Sequence, residues 1–298
     1  MKLLFGNESF IAKNISADIK ISRSECDLLN ITQVTAVLEK YKPTGVINCA
    51  AAHGSAKAMS QNHIHYLEHN ILMDLNVVRA SNALGIENVV LMSSVSAFPN
   101  IQDRDLVELD LHEGEVNKYN YGYNTSKRMA YDLCKTYELD LSRNYKVLFL
   151  GNLYGKFGKF AKDANVLNSI IYQMHLSKLK NLNLTLYGDG LDSRAFTFAE
   201  DLNQVLPKFM SDKSISSAIF SSNEVVTIKQ LTSLIADIMG FENKIIFTGE
   251  ATAGQKRKVA SSSYLQNKFP ELTYTDLKDG LKLSIEWYLK SVANLTQD

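Results

Sequence analysis

The 298-residue chain lacks a net charge, because its 32 lysines and arginines equal its 32 aspartates and glutamates. A balanced chain has no general attraction to nucleic acid or to anionic membranes, although it leaves room for a local basic pocket. The sequence also lacks any run of about eighteen apolar residues, the length that a membrane-spanning helix needs. We therefore expect a protein that binds neither nucleic acid nor membrane.

Cysteine is scarce and widely spaced, at Cys26, Cys49 and Cys134. An odd number of distant cysteines, none paired at the spacing of metal ligands, indicates reduced thiols with no disulfide and no metal site. The apolar stretch within residues 1–6 is too short for a signal peptide. Together these absences predict a cytoplasmic protein.

Short apolar runs alternate with amphipathic stretches through the first half of the chain. The runs predict buried strands at 2–5, 19–21, 45–49, 89–93 and 146–150, and the stretches predict helices at 9–15, 31–41, 70–84 and 126–143. This alternation is typical of an α/β protein with a Rossmann-type, doubly wound parallel sheet and helices on both faces. The room for the first helix is unusually short.

The second half is less regular, with helices predicted at 166–178, 227–239 and 281–290 and strands at 182–187 and 218–221. No internal repeat or low-complexity linker separates the halves. We therefore predict two interleaved lobes. A dinucleotide-binding domain spans 1–162, with 198–224 returning to it, and a smaller α/β substrate-binding lobe spans 163–298.

The turn after the first predicted strand, residues 6–12, reads GNESFIA. A dinucleotide-binding fold needs glycines in this turn, so that the backbone approaches the pyrophosphate at a helix N-terminus. Of the usual Gly-x-x-Gly-x-x-Gly spacing only Gly6 remains, with Ser9 and Ala12 as small substitutes. Candidate cofactor-binding residues here are Gly6, Ser9, Phe10 and Ile11, although a turn without a cofactor would look similar.

The residues after the second predicted strand bear on the choice of cofactor. An arginine there favours the 2′-phosphate of NADP, whereas an acidic residue favours NAD. Arg23 therefore favours NADPH, while Glu8 would repel that phosphate and keeps NADH possible. Further candidate contacts are Asp27 and Leu28 near the adenine and the small residues Ala50, Ala51 and Ala52 at the end of the third strand.

Tyr123 and Lys127 form the strongest chemical signal, because residues four apart lie on one face of a helix. An ammonium beside a phenol lowers the tyrosine pKa from about 10, which makes the tyrosine a better proton donor. Ser94 ends an earlier predicted strand, where open α/β sheets bind their ligands. We predict a dehydrogenase site in which Ser94 hydrogen-bonds the oxygen that Tyr123 protonates.

Segments over nearly the whole chain resemble the extended short-chain dehydrogenases (the NAD-dependent epimerase/dehydratase family), and among them the GDP-L-fucose synthase-like nucleotide-sugar reductases. These segments are 48–53, 66–72, 76–77, 93–99, 121–127, 152–155, 187–190, 193–196 and 254–258. The resemblance implies the cofactor NADPH, a nucleotide-diphosphate sugar substrate, with guanosine favoured as the base, and a homodimer formed through the helices predicted at 70–84 and 126–143. Lys127 would hold the nicotinamide ribose.

The resemblance also implies a substrate site. Arg194 and Arg257 would bind the diphosphate, whose oxygens suit guanidinium groups. Lys256, Arg257 and Lys258 are equally compatible with a solvated loop. The remaining candidate substrate-binding residues are Ser96, Asn152, Asn165, Val166 and Tyr187.

Two departures from the resemblance decide the expected reaction. The family enzyme epimerises a 4-keto-6-deoxy sugar with a cysteine and a histidine and then reduces it, but those positions align with Ser96 and Asn165, neither of which replaces them as a proton carrier. Asp163 and His175 lie nearby, and His175 is more simply a residue of the following helix. We therefore expect an NAD(P)H-dependent C4 reductase without epimerisation.

Two alternatives stay open. One is a nucleotide-sugar 4-dehydrogenase or 4-epimerase that keeps its NAD(H) bound between half-reactions. The other is a catalytically silent cofactor-sensing or scaffold protein, an idea prompted by the eroded glycine turn and opposed by the intact Ser94, Tyr123 and Lys127.

Overall fold

The computed structural model describes residues 1–249 and 255–295, so Gly254 and residues 296–298, which belong to the second predicted lobe, lie outside the described part. Its strands are β1 (Lys2–Phe5), β2 (Ile19–Ile21), β3 (Gly45–Asn48), β4 (Asn88–Ser94), β5 (Asn144–Leu150), β6 (Asn152–Tyr154), β7 (Leu184–Leu186), β8 (Ser193–Phe198), β9 (Ser217–Phe220), β10 (Val225–Thr227), β11 (Ile245–Phe247) and β12 (Arg257–Lys258).

The helices alternate with these strands. They are α1 (Phe10–Asn14), α2 (Ile31–Tyr41), α3 (Ala56–Gln61), α4 (His63–Ala83), α5 (Tyr121–Leu141), α6 (Val166–Leu179), α7 (Leu202–Ser211), α8 (Ile228–Met239), α9 (Ser263–Lys268) and α10 (Leu277–Leu295). Within the described residues, no helix has both the length and the apolar character needed to cross a membrane.

The main sheet confirms the predicted α/β fold. Its six strands run in the order β2-β1-β3-β4-β5-β9, and every pair is parallel. One hydrophobic cluster contains Leu3 of β1 with residues of α2, α4 and α5, and the other contains Leu4 with residues of α1, α7 and α9. Successive side chains of a strand point to opposite faces, so helices cover the sheet on both sides.

The strand order indicates where a ligand crevice would lie. The connections reverse direction between β1 and β3, and open α/β sheets bind ligands outside the carboxyl ends of the strands at such a point. The turn at Gly6 follows β1, and the loop that begins at Cys49 follows β3. The cofactor candidates from both segments therefore lie at one edge of the sheet.

A smaller group of strands forms the second lobe. Central β8 pairs in parallel with β6 and β12 and antiparallel with β10, while β7 pairs with β11. A third hydrophobic cluster, with residues from α6, α8 and α10, packs on them. In the segment 198–224, β9 pairs with β5 of the main sheet. The division into two domains at residue 162 stays a prediction.

The structure changes several predicted boundaries. Helix α4 begins at His63 rather than at residue 70, because Tyr66, Asn70 and Asp74 are buried at a spacing of four and continue one helix face. Helix α5 begins at Tyr121 rather than at 126. Strands β6, β8, β10, β11 and β12 were not predicted, since most are two or three residues long and only partly buried.

The two lobes are joined beside the end of β4. The amide of Leu106 donates to the carbonyl of Val259 at 3.0 Å, and the amide of Ser261 donates to the carbonyl of Leu106 at 2.8 Å. The segment that follows β4 is therefore hydrogen-bonded to the segment that follows β12.

Candidate active site

The turn after β1 needs glycine at position 6. Gly6 has a φ of +85°, and a Cβ placed on it would lie 2.6 Å from the backbone nitrogen of Ala50. The amides of Gly6 and Asn7 both donate to the carbonyl of Ile21, at 3.0 and 3.1 Å. The turn is therefore fixed between β2 and the loop after β3, with no space for a side chain.

The substitutes for the other two glycines have structural roles of their own. The Ser9 hydroxyl accepts a hydrogen bond from the Ala12 amide at 3.2 Å and caps α1, while Ala12 is fully buried against the sheet. The amides of Phe10 and Ile11 have no hydrogen-bond partner in the described part of the chain. Unpaired amides beside a tight turn fit the pyrophosphate of a dinucleotide.

The end of β2 carries both signs of charge. Arg23 is exposed and makes no hydrogen bond or ion pair within residues 1–249 and 255–295. Glu25, which the sequence analysis missed, accepts from the Ser22 amide at 2.8 Å and from its hydroxyl at 2.7 Å, and these bonds lower the pKa of Glu25. Asp27 is half-buried, and the side chain of Leu28 packs in the core.

Buried amide side chains hold the loop after β3. Asn48 accepts from the Ala50 amide at 3.0 Å and donates to the Asp74 carboxylate at 2.7 Å. Asn70 accepts from the Ala52 amide at 2.7 Å and donates to the Ala52 carbonyl at 3.1 Å. Ala51, between these two anchors, is exposed. The three alanines predicted at the cofactor therefore form a fixed segment.

Tyr123 and Lys127 lie in the first two turns of α5, next to the end of β4. Lys127 is only 3% exposed, and its ammonium donates to the Met92 carbonyl at 3.3 Å and lies 5.8 Å from the centre of the Tyr123 ring. Ser93 of β4 donates to the Lys127 carbonyl at 2.7 Å. Ser94, half-buried, follows at the strand end, and its hydroxyl accepts from the Ser96 amide at 3.2 Å. The three predicted catalytic residues thus belong to two elements that pack together.

The electrostatics of Tyr123 differ from the prediction. Burial first, and then the charge of Asp74, raise the pKa of Tyr123, so the expectation that Lys127 lowers it is wrong for the protein alone. Burial lowers the pKa of Lys127, while Asp74 opposes that change. Asp74, a buried carboxylate on α4, was not predicted from the sequence. The charge of Asp74 adds to the rise in the Tyr123 pKa, so in the protein alone the phenol is protonated but is a weaker acid than predicted.

A histidine ring touches Tyr123 and was also missed. His53, in the loop after β3, is exposed and stands edge-on to Tyr123, with ring centroids 5.4 Å apart and an interplanar angle of 74°. Partial desolvation of the ring where it packs on Tyr123, and then the charge of Lys127, lower the pKa of His53. The available signal was its position, five residues after the end of β3.

The two positions predicted to align with the family's cysteine and histidine are structurally distinct. The hydroxyl oxygen of Ser96 is buried and has no hydrogen-bond partner among the described residues. Asn165 is exposed, and its side chain caps α6 by accepting from the Asn168 amide at 3.0 Å. Val166, next to it, is 39% exposed.

The nearby titratable groups have other partners. His175 of α6 contacts the Tyr288 hydroxyl at 2.9 Å through its Nδ1, and Asp163 pairs with Lys159 at 2.8 Å. His175 is therefore a residue of a helix that packs on α10, as the sequence analysis favoured.

The cationic residues of the second lobe are arranged differently from the prediction. Arg257 forms an ion pair with Asp105, and its neighbour Lys258 stands beside Arg194 in the β8–β12 register. Successive strand residues point to opposite faces, so Lys258 shares the face of Arg194 and Arg257 does not. The register therefore places Lys258 rather than Arg257 beside Arg194, and the binding of a diphosphate by Arg257 stays a prediction.

Lys258 and Arg194 form a half-buried cationic pair. Burial and the charge of Arg194 lower the pKa of Lys258 to about 8, and burial lowers that of Arg194. Asp192 lies 3.7 Å from Arg194, and Lys258 has no ion-pair partner in the part of the chain that the structure describes. The pair has one nearby carboxylate and therefore an excess of positive charge.

The last two predicted substrate residues lie at the edges of the second lobe. Asn152 of β6 is half-buried and donates to the Ala195 carbonyl of β8 at 3.0 Å, so its amide nitrogen joins these strands. Tyr187 follows β7 and is 63% exposed. Tyr187 is therefore accessible to a ligand. In Asn152 the amide nitrogen is engaged by Ala195, so a ligand would be bound through the amide oxygen.

Comparisons with known proteins agree with this fold. A "Probable GDP-L-fucose synthase" from Drosophila melanogaster is 26% identical over 311 aligned positions, covering 97% of each chain. A GDP-L-fucose synthetase from Naegleria fowleri bound to NADP superposes with a TM-score of 0.88 at 20% identity, covering 98% of this chain and 94% of that one.

A GDP-6-OMe-4-keto-L-xylo-heptose reductase from C. jejuni superposes with a TM-score of 0.86 at 19% identity, covering 97% and 98% of the two chains. Residues 7–218 match the description "NAD dependent epimerase/dehydratase family". That range contains the Gly6-adjacent turn, the β4 end and the Tyr123–Lys127 pair. The chain therefore belongs to the NAD dependent epimerase/dehydratase family, whose members are NAD(P)-dependent.

Proposed function

We propose that the protein is an NADPH-dependent C4 reductase of a GDP-linked 4-keto-6-deoxy sugar, without the epimerisation that the fucose synthases add. The observation that carries the proposal is the combination of two features. Tyr123 and Lys127 lie on α5, and Ser93, the neighbour of Ser94 at the carboxyl end of β4, donates to the Lys127 carbonyl at 2.7 Å. The resemblance implies that Ser96 and Asn165 replace the thiol and the imidazole that epimerisation needs.

The proposed chemistry uses groups that the site already positions. NADPH supplies the hydride when bound. The Tyr123 hydroxyl donates its proton to the ketone oxygen, and Ser94 holds that oxygen by donating a hydrogen bond. Lys127 binds the nicotinamide ribose through its buried ammonium. Because burial and Asp74 raise the pKa of Tyr123, the phenol stays protonated until the ketone oxygen gains negative charge.

The choice of NADPH is supported by Arg23, which is exposed and unpaired in the described residues and therefore available to a 2′-phosphate. The Naegleria structure, which has NADP bound, supports the same choice. Glu25 opposes it, since this carboxylate lies close to Arg23 in sequence and would repel the phosphate. Its charge is partly compensated by the two hydrogen bonds from Ser22.

The substrate class is supported by the cationic pair. A diphosphate is the anion that best matches two adjacent half-buried cations, and we assign Arg194 and Lys258 to it. Guanosine as the base follows the Drosophila and C. jejuni relatives, whose names carry GDP. We also assign the unpartnered Ser96 hydroxyl to the sugar, because a buried donor without a partner is unfavourable until a ligand satisfies it.

The test compares Tyr123→Phe with the matched control Tyr121→Phe, since Tyr121 is 48% exposed on the same helix. We expect Tyr123→Phe to lower kcat/KM for NADPH-dependent reduction at least about 100-fold, the usual contribution of a general acid. Calorimetry should give the same NADPH affinity for both variants.

Three results would contradict the proposal. If Tyr123→Phe still reduces the substrate, Tyr123 is not the proton donor. A cofactor that co-purifies and is reduced by substrate alone would favour the 4-dehydrogenase or 4-epimerase. Heat from neither NADPH nor NADH, in protein free of cofactor, would favour the silent scaffold.

A further inference from the structure

Each reduction of a ketone consumes one proton, and the proposed site must recover it. When the Tyr123 O–H bond breaks, the proton forms the new alcohol and Tyr123 is left as a phenolate. The phenolate must regain a proton from solvent before the next turnover. We propose, on the basis of the function proposed above, that His53 delivers this proton to Tyr123.

His53 is the titratable side chain that reaches both Tyr123 and water. Its ring stands edge-on to Tyr123 at 5.4 Å between centroids, and the residue is exposed. Asp74 and Lys127, two other titratable side chains whose charges act in this site, are buried, at 4% and 3% exposure. A proton that came through either of them would have to cross packed protein.

The loop that carries His53 is held in place. Asn70 hydrogen-bonds both the amide and the carbonyl of Ala52, the residue immediately before His53, at 2.7 and 3.1 Å. Gly54, immediately after it, has no space for a side chain, because a Cβ there would lie 2.5 Å from the Tyr66 hydroxyl. The ring of His53 is therefore presented to Tyr123 by a fixed backbone rather than by a free loop.

The ring is also chemically suited to carry a proton. His53 makes no hydrogen bond or ion pair within the described residues, so both ring nitrogens are open to water or to a phenolate. Although the residue is exposed, the contact with Tyr123 partly desolvates its ring; this desolvation and the charge of Lys127 lower the pKa of His53, so the imidazole is neutral near pH 7, with one nitrogen donating and the other accepting.

The step balances without another reactant. One ring N–H bond breaks as the O–H bond of Tyr123 forms, and the other ring nitrogen takes a proton from solvent. A flip of the exposed ring restores the starting tautomer. The net change is one solvent proton moved to Tyr123, which matches the one proton that the alcohol product has gained.

The experiment uses two variants of the full chain. His53→Phe keeps an aromatic ring against Tyr123 but carries no proton, and His53→Ala leaves space for added imidazole. NADPH absorbance is followed in a single turnover and in the steady state, with GDP-4-keto-6-deoxymannose as the probe. Calorimetric NADPH affinity, unchanged from the wild type, serves as the control for folding.

We expect the single turnover to stay within about twofold of the wild type in both variants, because Tyr123 begins protonated. Steady-state kcat should fall at least about tenfold, toward the range that general acid–base groups contribute. Added imidazole should raise the steady-state kcat of His53→Ala in proportion to the imidazole concentration and leave the kcat of His53→Phe unchanged. A residue that only packs against Tyr123 would not respond to imidazole.

Different results separate the two proposals. A steady-state kcat near the wild-type value in both variants would overturn the relay and leave the reductase intact. A slow single turnover with a raised KM and no rescue would overturn the relay and make His53 a substrate contact. A wild-type protein that oxidises no NADPH with this probe would overturn the proposed reductase, and the relay with it, because no proton would then be drawn from Tyr123.

Discussion

Replacing Gly6 with alanine tests whether the tightly packed turn after β1 forms part of a cofactor site. The added methyl group faces two separate penalties. The first is the left-handed backbone at φ +85°, which costs an alanine about 1–2 kcal/mol. The second is the contact with the Ala50 backbone nitrogen at 2.6 Å, which forces β1 and the loop after β3 apart. Overpacking of this kind costs about 1–3 kcal/mol.

Gly85→Ala is the matched control. Gly85 has a φ of +70°, and nothing lies within 4 Å of a Cβ at that position, so this variant has only the backbone penalty. The change from glycine to alanine alters the unfolded chain equally in both. We therefore expect Gly85→Ala to lower the free energy of unfolding by about 1–2 kcal/mol and Gly6→Ala by about 2–5 kcal/mol.

Urea unfolding followed by circular dichroism measures these differences, and calorimetry measures NADPH affinity. Because Gly6 and Ala50 belong to the two segments that meet at the crevice, Gly6→Ala should also weaken NADPH binding at least about tenfold, equal to about 1.4 kcal/mol, with no change in Gly85→Ala. Equal destabilisation of the two variants, or full NADPH affinity in Gly6→Ala, would refute the reasoning.

Three further predictions concern other parts of the molecule. Burial lowers the pKa of Lys146 from 10.5 to about 8, so the folded protein loses this proton at a lower pH than the unfolded chain does. The stability of the wild type relative to Lys146→Met should therefore rise between pH 8 and 10.5. Urea midpoints of both proteins at about pH 7.5 and 9.5 check this, and the same difference in midpoint at both pH values contradicts it. Lys258→Met should weaken GDP binding about tenfold and Arg257→Met much less, since Lys258 and not Arg257 shares the strand face of Arg194. If calorimetry gives the reverse order, Arg257 rather than Lys258 binds the diphosphate. Light scattering at micromolar concentration should give twice the mass of one chain, through the predicted pairing of α4 and α5; the mass of a single chain contradicts it.

The main sheet was predictable because parallel strands covered on both faces are apolar at most positions. β3 and β5, for example, are buried throughout, and each contains a short apolar run. The second lobe gives no such signal. β8 is held by three different partners, and most of those strands are two or three residues long with mixed exposure. Their pairing depends on tertiary contacts that no local pattern encodes.

The candidate site likewise contains residues that a local pattern predicts and residues that only tertiary contacts bring together. Tyr123 and Lys127 were predicted together because one helix sets their spacing. The sequence KRK does not tell which residue shares a strand face with Arg194, because the register of β12 on β8 decides it, and that register selects Lys258 rather than Arg257. Asp74 and His53 were missed for a related reason. Each reaches Tyr123 from a segment about 50 to 70 residues earlier in the chain, through the packing of helices and loops on the sheet.

The loss of two glycines from the nucleotide turn does not by itself indicate a silent protein. The third glycine of the usual spacing allows a helix to pack closely on the sheet, and the fully buried Ala12 still fits there. Ser9 replaces the second glycine and caps α1, which leaves the Phe10 and Ile11 amides unpaired within the described residues. Glycine is kept at position 6, where a Cβ would collide with backbone. A chain that only needed a turn could lengthen it and accept a side chain. The retention of glycine at this one position, together with unpaired amides beside it, therefore argues for a cofactor that still approaches the backbone.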